Sequence, residues 1–300
     1  MAYKERTKSK ELAILEILND RMQLAKKDKQ HYFNLKKGYE GEVMFDSLTE
    51  KLQCECLILN DLLLEVNNTT FQIDSLIIVQ GKIHFYEVKN FEGDYYYESD
   101  KLYKKHKLEI INPLHQLSRS ESLLRQLLLN HGFNLPIDAS VVFINPKFTL
   151  YQLPLDKPII FPTQIKSYLA NLNATPSKLT KKHKKLADQL LALHMTESPY
   201  EKLPSYSYDQ LQKGIICPNC HSFSATIGLK HYKCTKCQHK ELLDEAVLRS
   251  IKEFKLLFPN KKLTTKTIHN WCQVVPERRI RNILLRKFTK IGEHRWSYFE

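Results

Sequence analysis

Four of the chain's seven cysteines fall in two Cys-x-x-Cys pairs, Cys217-Pro218-Asn219-Cys220 and Cys234-Thr235-Lys236-Cys237, separated by thirteen residues. Two such turns at that distance bring four thiolates around one tetrahedral Zn²⁺, and a closed four-thiolate set marks a structural site. The alternative is free or redox thiols. An odd cysteine count with paired spacing argues for metal ligation in a reducing compartment, not for a disulfide framework. A segment this short could hardly fold without its metal. His221, His231 and His239 flank the turns and could be spare ligands, with a surface role the expectation.

The formal charge of +13 is concentrated at the two ends. Residues 246–300 hold 13 Lys/Arg against 4 Asp/Glu, residues 1–37 hold 10 against 5, and the middle is nearly neutral. That distribution suits a polyanion, with nucleic acid the expected partner, an acidic membrane surface the competitor, and solubility alone the plain alternative. Met1 to Lys10 lacks the apolar run of a signal peptide, and stretches such as Leu76 to Val79 are too short to span a bilayer. The expectation is a soluble, cytoplasmic protein that does not enter a membrane.

Helical spacing of Leu12, Leu15, Leu18, Met22 and Ala25 predicts a lone helix over 9–33, and Phe45, Leu48 and Leu52 a second from Gly38 to Leu52. Strands are expected over Leu57–Val66, Phe71–Val79 and Lys82–Lys89, then Ala139–Ile144 and Lys157–Phe161. Asn112-Pro113 reads as the N-cap and first residue of a Leu-rich helix ending near Asn130. Helices around strands apolar on both faces imply an α/β fold with a buried mixed sheet.

Residues 166–212 read as a helical connector: a Lys-rich helix from about Leu179 to His194, then loop chemistry at Ser198-Pro199 and Pro204-Ser205-Tyr206. Three helices follow the cysteines, over Leu243–Phe258, Thr264–Cys272 and Pro276–Phe288. A hairpin then sets Thr289-Lys290-Ile291 against Trp296-Ser297-Tyr298-Phe299 around Gly292.

The stretch from Phe71 to Asn90 carries the chemistry. With a two-residue turn at Gln80-Gly81, Asp74 lies opposite Glu87; with the turn at Gly81-Lys82 it lies opposite Lys89. In both registers Asp74, Glu87 and Lys89 share a face. Carboxylates there could hold Mg²⁺, with a lysine steadying a developing anion, the requirements of phosphodiester hydrolysis. The alternative is a cross-strand salt bridge at an exposed edge. Glu42, one turn before Phe45 on the buried side of its helix, and Gln116, in the first turn of the Leu-rich helix, weigh against it.

Lys37-Gly38-Tyr39-Glu40-Gly41-Glu42, Gln72-Ile73-Asp74-Ser75-Leu76, Glu87-Val88-Lys89-Asn90 and Asn112-Pro113-Leu114-His115-Gln116 together resemble the nuclease-related domain, NERD, itself similar to the PD-(D/E)XK nucleases. The resemblance covers about residues 35–150. It implies a restriction-endonuclease-like mixed sheet flanked by helices and a Mg²⁺- or Mn²⁺-dependent nuclease, with DNA as the expected substrate. Asp74 and Glu87 would be metal ligands, Lys89 the catalytic lysine, Glu42 the helix acid completing or orienting the site, and Gln116 the later-helix glutamine. A non-catalytic DNA-binding protein built on an inactive nuclease fold is the alternative.

The cysteine module looks like a zinc ribbon, serving either as scaffold or in binding DNA. The three helices and hairpin resemble a winged helix. If Ile280, Leu284 and Phe288 face its core, Arg278, Arg279, Arg281, Arg286 and Lys287 are left for nucleic acid, or simply for solvent. The expected organisation is an N-terminal helix (1–34), nuclease domain (35–165), connector (166–212), zinc ribbon (213–245) and basic winged-helix-like domain (246–300).

Overall fold

The computed structural model describes residues 2–105, 107–197, 200–293 and 297–300. Ser198-Pro199 and Trp296, expected in a loop and in the hairpin, lie outside the described residues. Two compact units are formed, Met1–Ser9 with Phe33–Glu201, and Lys10–Tyr32 with Lys202–Glu300.

The helix expected over 9–33 is two helices, α1 (Lys10–Arg21) and α2 (Lys26–Thr49). The break holds a buried Leu24. Helix α2 then runs through Gly38 and Gly41 without interruption, although each glycine costs about 1 kcal/mol against alanine in a helix. A close approach to Asn90, described below, explains why Gly41 is tolerated.

Strands β1 (Leu57–Val66), β2 (Thr69–Ile78) and β3 (Ile83–Lys89) follow as an antiparallel meander. Beyond them come β4 (Gly93–Glu98), β5 (Lys101–Lys104), β6 (Leu108–Ile110), α3 (Pro113–Asn130), β7 (Ile137–Phe143), β8 (Phe148–Tyr151), β9 (Ile159–Ile160), α4 (Ile165–Ala174) and α5 (Lys181–Leu193). The main sheet has the order β1-β2-β3-β7-β9, antiparallel at β1–β3 and parallel from β3 to β9. It is the expected mixed sheet. One face packs on α3 and α5 through residues such as Leu124, Leu128, Leu186 and Leu190. The other packs on Phe45 of α2 and on Ile165, Leu169 and Leu172 of α4. Residues 165–193, expected mostly as connector, thus supply two helices of the first unit because their apolar faces cover the sheet.

A second sheet, β6-β5-β4-β8, has no counterpart among the sequence expectations. Its β4–β5 turn uses Ser99 and Asp100, both at positive φ (48° and 62°), without a glycine to signal it. Asn112 caps α3 as expected, its Oδ1 accepting from Leu114 N at 3.0 Å.

In the second unit, β10 (Ala225–Ile227), β11 (His231–Cys234) and β12 (Lys240–Leu242) form a small antiparallel sheet at the cysteines. Then come α6 (Leu243–Leu257), α7 (Thr265–Cys272), α8 (Glu277–Lys287), β13 (Lys290–Ile291) and β14 (Tyr298–Phe299). Strands β13 and β14 pair, and Leu263, between α6 and α7, bridges to Phe299. Arg21 of α1 is buried here, donating to Gln212 O and Glu253 Oε2 with its guanidinium 4.0 Å from the Trp271 ring centre. Among the described residues, no helix is long and apolar enough to cross a membrane.

Candidate active site

The β2–β3 turn adopts the first of the two registers considered, with Ile78 opposite Ile83 and Ser75 opposite Tyr86. Continued, it would pair Ile73 with Val88. Instead the ladder stops at Ser75, and the Val88 N–H donates to Asp74 Oδ2 at 2.8 Å. A side chain takes the place of a backbone acceptor where the strands part, and past Tyr86 β3 keeps only β7 as its neighbour. That opening is where the charged groups converge.

Glu87 is 1% exposed. Its Oε1 accepts from Lys89 Nζ at 2.5 Å, whereas its Oε2 is buried and finds no hydrogen-bond donor among the described residues. Lys89 Nζ also donates to Gln116 Oε1 at 3.1 Å, so the first turn of α3 reaches the same spot. Glu42 lies on α2 and accepts through Oε2 from Arg6 Nη1 at 2.6 Å. The same guanidinium donates to both carboxylate oxygens of Asp46 (2.7 and 3.0 Å) and to the carbonyl of Asp74 (2.6 Å). The structure therefore brings Asp74, Glu87, Lys89 and Gln116 together directly, with Glu42 joined to them through Arg6.

Burial first, and the charge of Asp74 second, push Glu87 up to about 7 against the opposing pull of Lys89. The same two causes push Glu42 up to about 8, with Arg6 opposing. Burial also raises Asp74, held back by Lys89 and by the Val88 N–H. Burial works against the Lys89 ammonium, yet Glu87 and Asp74 raise it overall. Several carboxylates that burial above all disfavours as anions form a setting that a divalent cation relieves. With Asp74 Oδ2 engaged by Val88 and Glu87 Oε1 by Lys89, Asp74 Oδ1 and the orphaned Glu87 Oε2 are the oxygens left to offer one. Hard oxygen donors of this kind fit Mg²⁺ or Mn²⁺.

Residues 37–144 match the family model of the nuclease-related domain, NERD. No curated protein and no solved structure matches the chain. The NERD match spans a little over a third of the sequence and contains all five residues of the candidate set, but not Arg6. Arg6 and Asp46 were missed by sequence reasoning. Asp46 lies one helical turn from Glu42, a signal that could have found it; nothing local marks Arg6.

Asn90, the residue after β3, fixes the neighbourhood. Its Nδ2 donates to Lys37 O, its Oδ1 accepts from Asn145, and a Cβ added at Gly41 would sit 2.5 Å from its own Cβ. Gly41→Ala is therefore expected to destabilise by about 1–3 kcal/mol through overpacking, despite alanine's better helix propensity. A urea melt with an unchanged or higher midpoint would contradict this.

Cys217, Cys220, Cys234 and Cys237 are the one group of three or more His, Cys, Asp or Glu among the described residues whose ligand atoms all lie within 4.8 Å. Two of their Sγ pairs, Cys217–Cys237 and Cys220–Cys234, are 3.6 and 3.5 Å apart. Tetrahedral Zn–S bonds of about 2.3 Å need roughly 3.8 Å between sulfurs, so the set fits zinc. His221 is hydrogen-bonded to Asp20 rather than turned to the thiols.

The five basic residues of α8 have different partners. Arg279 donates to Gly228 O at 2.6 Å and Arg286 pairs with Asp244 at 2.8 Å. Arg278, Arg281 and Lys287 are exposed, and the first two line a groove with Thr265, Glu277 and Lys290. Ile280 and Leu284 are buried, as is Ile283, while Phe288 is half-buried.

Proposed function

We propose that the first unit hydrolyses phosphodiester bonds in nucleic acid, DNA foremost, with Mg²⁺ or Mn²⁺ held by Asp74 and Glu87. The observation that carries this reading is the buried, donor-less Glu87 Oε2 beside Asp74 and Lys89 within a NERD segment. A bound divalent ion would supply Lewis-acid charge and water of lowered pKa. The protein's groups do the rest. Lys89, steadied by Gln116, offers an ammonium proton to the oxygen on which negative charge grows. Glu87 orients that ammonium from the other side, and Glu42, fixed by Arg6, is a further carboxyl that a bound cation would bring to its charged form. The test is a cleavage assay on supercoiled, linear and single-stranded DNA and on RNA, in Mg²⁺, Mn²⁺ and EDTA. Cutting that persists in EDTA, or in Asp74→Ala, sinks the proposal.

The second unit is proposed to bind nucleic acid through α8 and the β13–β14 hairpin. Support comes from the order of α7, a short turn and α8 beside a small sheet, and from the exposed Arg278, Arg281 and Lys290. Each phosphate the protein no longer neutralises lowers the slope of log affinity against log salt by about 0.9. Arg278→Ala with Arg281→Ala should therefore flatten that slope by nearly two and weaken binding across sequences. Arg279→Ala, whose guanidinium is spent on Gly228, should leave the slope unchanged. Equal slopes in wild type and the double variant would remove α8 from the interface.

A further inference from the structure

We infer that Arg6 is a positioning residue of the candidate metal site, delivered to it by the N-terminal segment through a single parallel β-bridge to the edge strand β1. The inference rests on the cation-site reading just given. Lys4 bridges in parallel to Leu59 of β1, with Tyr3 N and Lys4 N donating to Ile58 O and Asn60 N donating to Lys4 O. Two residues further on, Arg6 enters the space between β2 and α2, its side chain only 3% exposed.

Asp74 is the residue that needs such help. On the β3 side the ladder has ended, and Val88 holds the carboxylate instead of the backbone. On the β1 side the pairing passes from Asn60–Ser75 to Leu62–Ile73 across Asp61, which sits at φ 56°. A left-handed residue inside a strand turns its peptide groups out of the ladder. Lys4 Nζ collects the carbonyls this leaves at Asn60 and Asp61 (2.8 and 2.7 Å), and Arg6 collects that of Asp74 itself. The backbone of the candidate ligand is thus pinned by a guanidinium, and that guanidinium's other donors grip Glu42 and Asp46 on α2. A planar fork with five fixed donors can join three acceptors on two elements; an ammonium on a flexible stem cannot keep the same angles. Arg6 sets the spacing between Asp74 and Glu42, which is the spacing a cation would meet.

The test uses the full-length, zinc-loaded chain and Mn²⁺ as probe, read by electron paramagnetic resonance titration. Wild type, Arg6→Ala, Arg6→Lys, Asp46→Asn and Asp74→Ala are compared, with the fold of each checked by circular dichroism. Arg6→Ala is expected to weaken Mn²⁺ binding by about 10–100-fold, the scale on which groups that orient a ligand act. Cleavage should lose kcat by a similar factor with KM for DNA unchanged. Arg6→Lys should recover little of either, and free guanidinium ion should restore part of the Arg6→Ala loss. Asp46→Asn, which loosens only the arginine, should weaken Mn²⁺ less, and it carries the test if Arg6→Ala does not fold. Wild-type Mn²⁺ affinity in a folded Arg6→Ala chain, or in Asp46→Asn if that variant stands alone, overturns the inference while leaving the metal site intact. A wild-type chain with no Mn²⁺ site that Asp74→Ala removes overturns the cation-site reading and this inference with it.

Discussion

Asp74→Ala and Glu87→Gln are expected to lower cleavage by about a hundred- to a thousandfold, the effect of removing one group that stabilises developing charge in a buried site. Cation binding should fall with it, whereas Lys89→Ala should cost rate while keeping most of the cation affinity. Stability supplies an independent check, because the two readings of this trio predict opposite signs. If Glu87 were simply the partner of Lys89, its replacement by Gln would leave a buried ammonium unpaired and destabilise the fold. If Glu87 waits for a cation, the same change removes an anion that burial and Asp74 already disfavour. In EDTA the variant should then melt at or above the wild-type temperature, and Mg²⁺ should no longer raise it.

The pH dependence follows from the same groups. Glu87 at about 7 and Glu42 at about 8 lie above the ordinary 4.5. A carboxyl raised on folding contributes stability that is fully present below its unfolded value and lost as pH climbs through the folded one. The cation-free protein should therefore lose stability between about pH 4.5 and 8 from this site, and saturating Mg²⁺ should flatten the decline. Thermal melts that rise steadily with pH in EDTA would show that the carboxylates are stabilised as anions by groups other than a cation.

How far the sequence anticipates this site depends on the distance over which each cause acts. The β1–β3 meander, the capped α3 and the run α6, α7, α8 follow from local periodicity, one turn pair and one Asn-Pro cap, so they are legible. Helix α2 is legible only in part, because the expected second helix starts at Gly38 whereas the structure runs it unbroken from Lys26 through both Gly38 and Gly41. The second sheet escapes for a different reason. Its strands are three to six residues long and its tight turn is made by Ser99 and Asp100, so neither length nor glycine gives it away. Arg6 is the extreme case: its partners lie 36, 40 and 68 residues along the chain. The parity of a β-hairpin assembles Asp74, Glu87 and Lys89, whereas the residue holding them to α2 becomes visible only when the bridge from Lys4 to Leu59 is seen. Within residues 37–144, which match the NERD family model, the candidate set could be read from motifs, and outside them only from packing.

Removing zinc is expected to unfold the cysteine module outright. Residues 213–242 hold three strands of three or four residues, and their buried apolar side chains are only Ile215, Ile216, Cys217, Tyr232 and Cys234. So small an apolar interior cannot offset the chain entropy of ordering thirty residues at about 1–2 kcal/mol each for the backbone alone. An apparent contribution of about 10–16 kcal/mol from a four-ligand zinc supplies a large part of the shortfall, beside the module's own packing and hydrogen bonds. Loss should spread beyond the ligands, since Arg249 of α6 donates to Ile216 O and Arg279 of α8 to Gly228 O. Those carbonyls keep their places only while the ribbon is folded. Cys237→Ser should therefore purify without zinc and lose the near-ultraviolet dichroism of Tyr232 and Trp271, both fully buried in this unit. Cys54→Ser, outside the cluster, should retain one zinc per chain. A native protein with no zinc by elemental analysis, or a chelated one whose near-ultraviolet spectrum is unchanged, would mean that the four sulfurs are close for reasons other than metal.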